Sequence, residues 1–279
     1  MSEHRQRIVI TGSKGLVGRH AVDYASAQGA DVLGVDIVGR GNYTDYISAD
    51  LTDLGQVFDV LHGADAVIHL AAINAQRVFP AARTYMTNLA ATFNIFQACY
   101  QLGIKRVVAA SSIQVNHTVT PRTPIRYRYL PFDEAHPVDP QDEYSLSKYS
   151  GELAADMFAR HYHLTIVSLR FAGVYLPEAL FTLAHGEEPG VRTVLYSYLD
   201  PRDAGRACYL AATAPLPDSS HTVALIAARD QALDMPSLEF AQRYYPDAEI
   251  RPGFGGYQSF VDTTRAEKML GFVAQYSCR

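Results

Sequence analysis

The sequence predicts an α/β chain built as a doubly wound parallel sheet with a small C-terminal subdomain beside it. Three observations carry this reading. Residues Thr11 to Gly18 read TGSKGLVG, glycines spaced GxxGxxG, between the apolar run Ile8-Val9-Ile10 and a helical stretch. A second apolar segment, Asp31 to Asp36, ends in a carboxylate about 20 residues beyond the glycines. Strand-like and helix-like segments then alternate through the first two-thirds of the chain, the pattern of a parallel sheet covered by helices on both faces.

Taken in order, strands are expected near 6–11, 31–36, 46–50, 65–70, 105–111 and 164–170, with helices near 15–28, 53–62, 83–102 and 142–162. A glycine spacing alone is weak, because 19 glycines in 279 residues produce accidental matches. Placement strengthens it: a glycine turn between a first strand and a first helix lets a pyrophosphate rest on the helix N-terminus. Asp36 stands where an acid grips ribose hydroxyls. The third segment ends at Asp50-Leu51, and the fourth, DAVIHLAA from Asp65 to Ala72, ends in small residues that let a ligand lie close. Right-handed crossovers bring the glycine turn, Asp36, Ala71-Ala72 and Ser111-Ser112 to one edge, where ligands of such sheets bind.

Beyond Tyr175 the alternation thins. A helix near 202–213, a strand near 221–228 and helices near 236–245 and 263–270 remain. The expected division is a dinucleotide-binding part, residues 1–176 and 193–229, and a small substrate-facing subdomain, residues 177–192 and 230–279. The stretch from Asn116 to Glu143 carries Pro121, Pro124, Pro131, Pro137 and Pro140. It reads equally as a proline-stiffened excursion or as a lid.

The totals exclude several classes. A net charge of -5 argues against a nucleic-acid or anionic-membrane surface. No apolar run approaches the roughly 18 residues of a membrane span, and no signal-peptide apolar region precedes the first strand. Cys99, Cys208 and Cys278 show no metal-ligand spacing, so no metal is expected, and they read as thiols of a reducing, cytoplasmic compartment.

Tyr144 and Lys148, in QDEYSLSKYSGE, share one helix face at a spacing of four. A phenol of ordinary pKa, about 10, is a poor acid–base catalyst at neutral pH. A nearby ammonium, together with the charge of an oxidised nicotinamide, favours the phenolate. Ser111 or Ser112, ending the fifth strand, is placed to hold a substrate oxygen. His69, on the fourth strand, reads as a satisfied core histidine.

With these residues in place, the chain resembles the short-chain dehydrogenase/reductase superfamily in its extended branch, the NAD-dependent epimerase/dehydratase family. The resemblance rests on TGSKGLVG, Asp36, Asp50-Leu51, HLAA at 69–72, Asn88 with Thr92 and Asn94, SSIQV at 111–115, YSLSK at 144–148, LRFAGVY at 169–175, RDAGRA at 202–207 and LGF at 270–272. It implies a Rossmann-type fold and a catalytic group of Ser112, Tyr144 and Lys148. It also implies a dinucleotide held by Gly12, Lys14, Gly15, Leu16, Val17, Gly18, Asp36, Asp50, Leu51, Leu70, Ala71, Ala72 and Asn88 with Tyr144 and Lys148. NAD is expected over NADP because Asp36 repels a 2′-phosphate, although Lys14 and Arg40 could accept one. A homodimer through the helices near 83–102 and 142–162 is a further implication.

The chain departs from sugar-nucleotide members, which usually carry Asn where Gly173 stands, Gly-Pro where Leu176-Pro177 stands, and an arginine near the place of Tyr196. It looks closer to the uronate dehydrogenase side, where an arginine holds the substrate carboxylate and Arg192 sits near the matching place. That side has Asn-His where this chain has Ile113-Gln114. The expectation is an NAD(P)-dependent oxidoreductase for a small sugar-like or sugar-acid substrate, touched by Ser111, Gln114 and Arg192. An epimerase or dehydratase is the alternative within enzymes, and a non-catalytic NAD(P) sensor the alternative of another class.

Overall fold

A computed structural model describes residues 5–38, 45–74, 79–116, 123, 125–176, 178–179 and 194–279. The chain begins with β1 (Arg7–Thr11), α1 (Leu16–Ala27), β2 (Asp31–Asp36), β3 (Tyr46–Ser48), α2 (Leu54–Leu61), β4 (Ala66–His69), α3 (Ala81–Leu102) and β5 (Arg106–Ser112). A single 3-10 turn (Ile113–Val115) follows, then β6 (Tyr129–Leu130), α4 (Glu143–Tyr162), β7 (Thr165–Phe171) and β8 (Gly173–Val174). It ends with β9 (Tyr198–Leu199), α5 (Pro201–Thr213), β10 (His221–Ile226), α6 (Ser237–Tyr244), β11 (Glu249–Ile250) and α7 (Thr264–Leu270).

Seven strands form one sheet in the order β10-β7-β5-β4-β1-β2-β3, every adjacent pair parallel. Side-chain alternation divides its core between two faces. Ile8, Ile10, Val108, Val167 and Leu169 pack with α1 and α5, through Ala21, Ala25, Ala204 and Ala207. Val9, Val67, Val107 and Ile166 pack with α2, α3 and α4, through Val57, Ile95, Phe96 and Phe158. Both faces are covered, so these strands read as continuous apolar runs. Among the described residues, no helix is long and apolar enough to cross a membrane.

The stretch between Asn116 and Glu143 is anchored where it is described. Its strand β6 pairs in parallel with β11, and the Phe132 N–H donates to the Phe260 carbonyl at 2.9 Å. Tyr127, Leu130 and Phe132 are buried. Arg251 ties it further, donating to Asp133 at 2.8 Å and lying 4.0 Å from the Tyr129 ring centroid. Residues 129–133 therefore pack with residues 249–262. Residues 127–133, held by this much buried surface, are structural rather than a free flap.

Candidate active site

The glycine turn is shaped by close approach. Gly12 adopts φ +68°, and a Cβ there would stand 2.6 Å from the Ala71 backbone nitrogen. A Cβ on Gly18 would stand 2.0 Å from the Gly12 carbonyl oxygen. Any side chain at either position displaces backbone: the turn lies against Leu70-Ala71 just past β4, and α1 lies against the turn. Helix α1 starts at Gly15 with no side-chain cap and no acid in its first turn. Its leading N–H groups and positive dipole end are left for an anion. The cradle fits a pyrophosphate.

Asp36 ends β2 beside this turn. One carboxylate oxygen accepts the Lys14 N–H at 3.0 Å and the other accepts the Ile37 N–H at 2.8 Å. The Lys14 ammonium lies 4.7 Å from the centroid of the Tyr46 ring. Exposed Ile37 and Ile47 add apolar surface near the acid. These groups suit an adenosine end: a carboxylate for ribose hydroxyls beside apolar side chains for the base.

Farther along the edge, Asp50 accepts both the N–H and hydroxyl of Thr52, and Leu51 is buried. Asn94 donates to the carbonyls of Leu51 and Thr52, at 3.0 and 3.1 Å, fixing this loop against α3. Leu70 and Ala71 are half-buried and Ala72 is exposed. Asn88 spans to the loop after β4, accepting the Ile73 N–H at 2.8 Å and donating to the Ile73 carbonyl and the Ser147 hydroxyl. Both Asn88 donors are thus committed to protein, and its direct role is to place the loop that carries Ala71 and Ala72. His69 is buried between the hydroxyls of Thr11 and Thr92, at 2.8 and 3.2 Å. Burial, then Lys148, pulls it down to about 3, which keeps the ring neutral and structural.

Helix α4 presents the reacting groups. Asp142 caps it by accepting the Ser145 N–H at 2.7 Å, and the Ser145 hydroxyl reaches back to complete a capping box. Tyr144 is thereby held in the first turn, hydrogen-bonded to the Ser112 hydroxyl. Ser112 also accepts the Gln114 N–H at 3.1 Å. Lys148 is buried and donates to the Ala110 carbonyl at 2.8 Å, 5.7 Å from the Tyr144 ring centroid. Ser112, Tyr144 and Lys148 so meet at the carboxyl edge of the sheet.

Without the nicotinamide charge that the expectation joins to Lys148, the phenol stays raised. Burial pushes Tyr144 up to about 12, the Ser112 hydrogen bond lowers it and Asp142 raises it. Burial brings Lys148 down to about 8. Among the protein's own groups, desolvation outweighs the ammonium, and Tyr144 stands as a neutral acid at pH 7.

Ser111 also departs from its expected part in binding substrate. Alternation turns it to the opposite face from Ser112, where it donates to buried Glu152 at 2.5 Å. Glu152 in turn takes two hydrogen bonds from Arg170, at 2.8 and 2.6 Å, and Arg170 donates to Asn116 at 3.0 Å. The Glu152–Arg170 pair was missed in the sequence, although Tyr144, Lys148 and Glu152 recur at intervals of four on one helix face. A cavity of about 10 Å³, room for roughly one water, lies among Thr92, Ser111, Ser147, Lys148 and Glu152. Gln114 keeps a buried carboxamide oxygen with no hydrogen-bond partner among the described residues. Arg192 and Arg40 lie outside the described residues. Among the described residues no cluster of metal-ligating side chains occurs.

Residues 8–224 match the family model for the NAD dependent epimerase/dehydratase family. The chain belongs to that family. An L-arabinose 1-dehydrogenase (NAD(P)(+)) of Haloferax volcanii is 30% identical over 229 residues, covering 80% of this chain and 89% of the relative. A uronate dehydrogenase of Pseudomonas putida is 28% identical over 174 residues, 61% of each chain. Among solved structures, a short-chain dehydrogenase/reductase superfamily protein of Agrobacterium tumefaciens with bound NAD superposes with a TM-score of 0.75. It is 23% identical, over 98% of this chain and 94% of that one, a likeness of fold. Membership makes the chain an extended-type enzyme of the short-chain dehydrogenase/reductase superfamily, in keeping with its Rossmann-type sheet.

Proposed function

We propose that the protein is an NAD(P)-dependent dehydrogenase that interconverts a hydroxyl and a carbonyl on a small sugar or sugar acid. The single observation carrying this is the meeting of Ser112, Tyr144 and Lys148 at the sheet edge that also holds the glycine cradle. Bound NAD supplies the hydride acceptor. Oxidation removes a hydride from carbon and a proton from oxygen, and Tyr144 Oη is the group that exchanges the proton. Ser112 holds the substrate oxygen, and Lys148 favours the phenolate by its charge. Asp36, with its carboxylate facing the turn, supports NAD over NADP.

Tyr144→Phe is expected to bind NAD normally and to lose about 10²–10⁴-fold in turnover; near-wild-type turnover overturns the assignment. Net NADH accumulating at 340 nm marks a dehydrogenase. Tightly retained cofactor with no net NADH marks the epimerase that the same family contains. Tyr144 and Lys148 both being present weighs against a non-catalytic sensor.

The packing of residues 125–133 against the segment after 230 supports reading both as the substrate-facing subdomain. Exposed Met86, Phe93 and Tyr100 on α3, with Leu146 and Leu153 on α4, support a homodimer through these two helices. Free Cys99, Cys208 and Cys278 fit a reducing, cytoplasmic setting.

A further inference from the structure

Gly173 opens β8 two residues past Phe171, and Phe171 is in register with Ser112 on the neighbouring strand. Position 173 thus borders the reacting edge. The space its side chain would take is already filled. A Cβ built on Gly173 would lie 2.4 Å from Tyr175 Cε2, 3.0 Å from Cζ and 2.9 Å from the phenol oxygen. The Tyr175 ring therefore folds back across residue 173 with its hydroxyl end over the glycine.

Tyr175 is half-buried, its N–H donates to the Leu199 carbonyl at 3.2 Å, and its phenol oxygen has no hydrogen-bond partner among the described residues. The ring packs with Tyr196 against Tyr198, Ala228 and Ala232, a small cluster separate from the two sheet cores. Burial raises the Tyr175 phenol, so it stays a neutral donor at working pH. An apolar ring face carrying one free hydroxyl matches a monosaccharide, whose ring offers C–H faces and hydroxyls together. The same ring removes the room that a larger substituent would need at this border.

We infer that Tyr175 is a specificity-determining residue: its ring closes the space over Gly173 to nucleotide-linked sugars, and its hydroxyl binds a free sugar. This deepens the dehydrogenase reading and rests on it.

The test compares wild type, Tyr175→Phe and Tyr175→Ala, each first shown to bind NAD. L-arabinose, D-galactose and D-galacturonate serve as free-sugar probes followed by NADH formation, and UDP-glucose is titrated calorimetrically into the NAD-loaded proteins. Tyr175→Phe keeps the packing and loses the hydroxyl, so KM for the best free sugar should rise roughly 3–10-fold with kcat little changed. Tyr175→Ala should bind UDP-glucose at least about tenfold tighter than wild type. An unchanged KM in Tyr175→Phe, or UDP-glucose bound as tightly by wild type as by Tyr175→Ala, overturns the proposal. If wild type forms NADH with none of the free sugars, the dehydrogenase reading fails on its own, and the UDP-glucose comparison still decides whether Tyr175 closes the site.

Discussion

Lys148 stands one turn beyond Tyr144 on α4, yet its ammonium is anchored 2.8 Å from the Ala110 carbonyl oxygen and lies 5.7 Å from the centroid of the Tyr144 ring. The phenol's own hydrogen-bond partner is Ser112. Lysine and tyrosine thus hold separate partners, and β5 sets the position of each. Any charge the lysine lends the site lasts only while the ammonium keeps its proton, and burial has already brought it down to about 8.

Removing that charge should separate stability from activity. In Lys148→Met the buried ammonium disappears. Its depressed pKa corresponds to about 3 kcal/mol of folded-state cost at neutral pH. The lost bond to Ala110 offsets about 1 kcal/mol of the gain. The variant should melt a few degrees higher at pH 7 while turnover falls about 10²-fold or more. The variant's advantage shrinks with alkalinity. Between pH 8 and 10.5 the unfolded lysine binds the proton that the folded one releases, so wild-type stability gains relative to the variant as pH rises. Melting curves of both proteins at pH 7 and pH 10 check this; a gap that does not narrow contradicts it.

The Glu152–Arg170 pair makes a different prediction, because both side chains are only 5% exposed. Glu152→Gln leaves the guanidinium of Arg170 buried without its counter-charge, which should cost about 3–5 kcal/mol. The double variant Glu152→Leu/Arg170→Met removes both charges and should recover much of that loss, though Ser111 and Asn116 then lose partners. Urea midpoints for the two variants decide the matter. A double variant no more stable than the single one would place the energy in the hydrogen bonds of Ser111 and Asn116 instead.

Cofactor choice turns on Asp36. Its carboxylate is held in place by the N–H groups of Lys14 and Ile37, so it cannot easily swing away from a 2′-phosphate. Asp36→Ser removes the repulsion and leaves Lys14 beside the turn. The ratio of kcat/KM for NAD over NADP should fall by at least about tenfold. An unchanged ratio would mean that the acid does not face the ribose.

The parts of the chain legible in the sequence are those whose signals are local. Strands β1, β2, β4, β5 and β7 carry short apolar runs between turn residues, and the glycine cradle and the Tyr144/Lys148 spacing lie within single elements. Long-range relationships left no such trace. Strands β6 and β11 are two residues each and lie far apart in the chain, so neither has periodicity to read. Ser111 and Ser112 are adjacent letters with opposite fates, because only the fold shows that Glu152 arrives on one face of β5 and Tyr144 at its end. The burial that raises the Tyr144 phenol is a tertiary property that spacing to Lys148 does not report. Gly173 stood out as a departure, but the ring that requires it lies two residues on, and no pattern tells which way a tyrosine turns.

The outer faces of α3 and α4 lead to the last prediction. Met86, Phe93 and Tyr100 recur every seven residues on α3, and Leu146 and Leu153 do so on α4; these side chains are 42–60% exposed. Phe93 and Tyr100 also touch Phe158 and Tyr162 of α4, at centroid distances of 5.4 and 4.7 Å, so the two helices form one continuous surface. A second copy meeting this surface about a two-fold axis would bury the same residues from both sides. Leu153→Glu together with Phe93→Glu puts four like charges into that contact and should yield a monomer by light scattering at micromolar concentration. The charges sit on solvent-facing positions, so the melting temperature of the separated monomer should show whether the helices themselves survive. A wild-type protein that is already monomeric at that concentration removes the dimer from consideration.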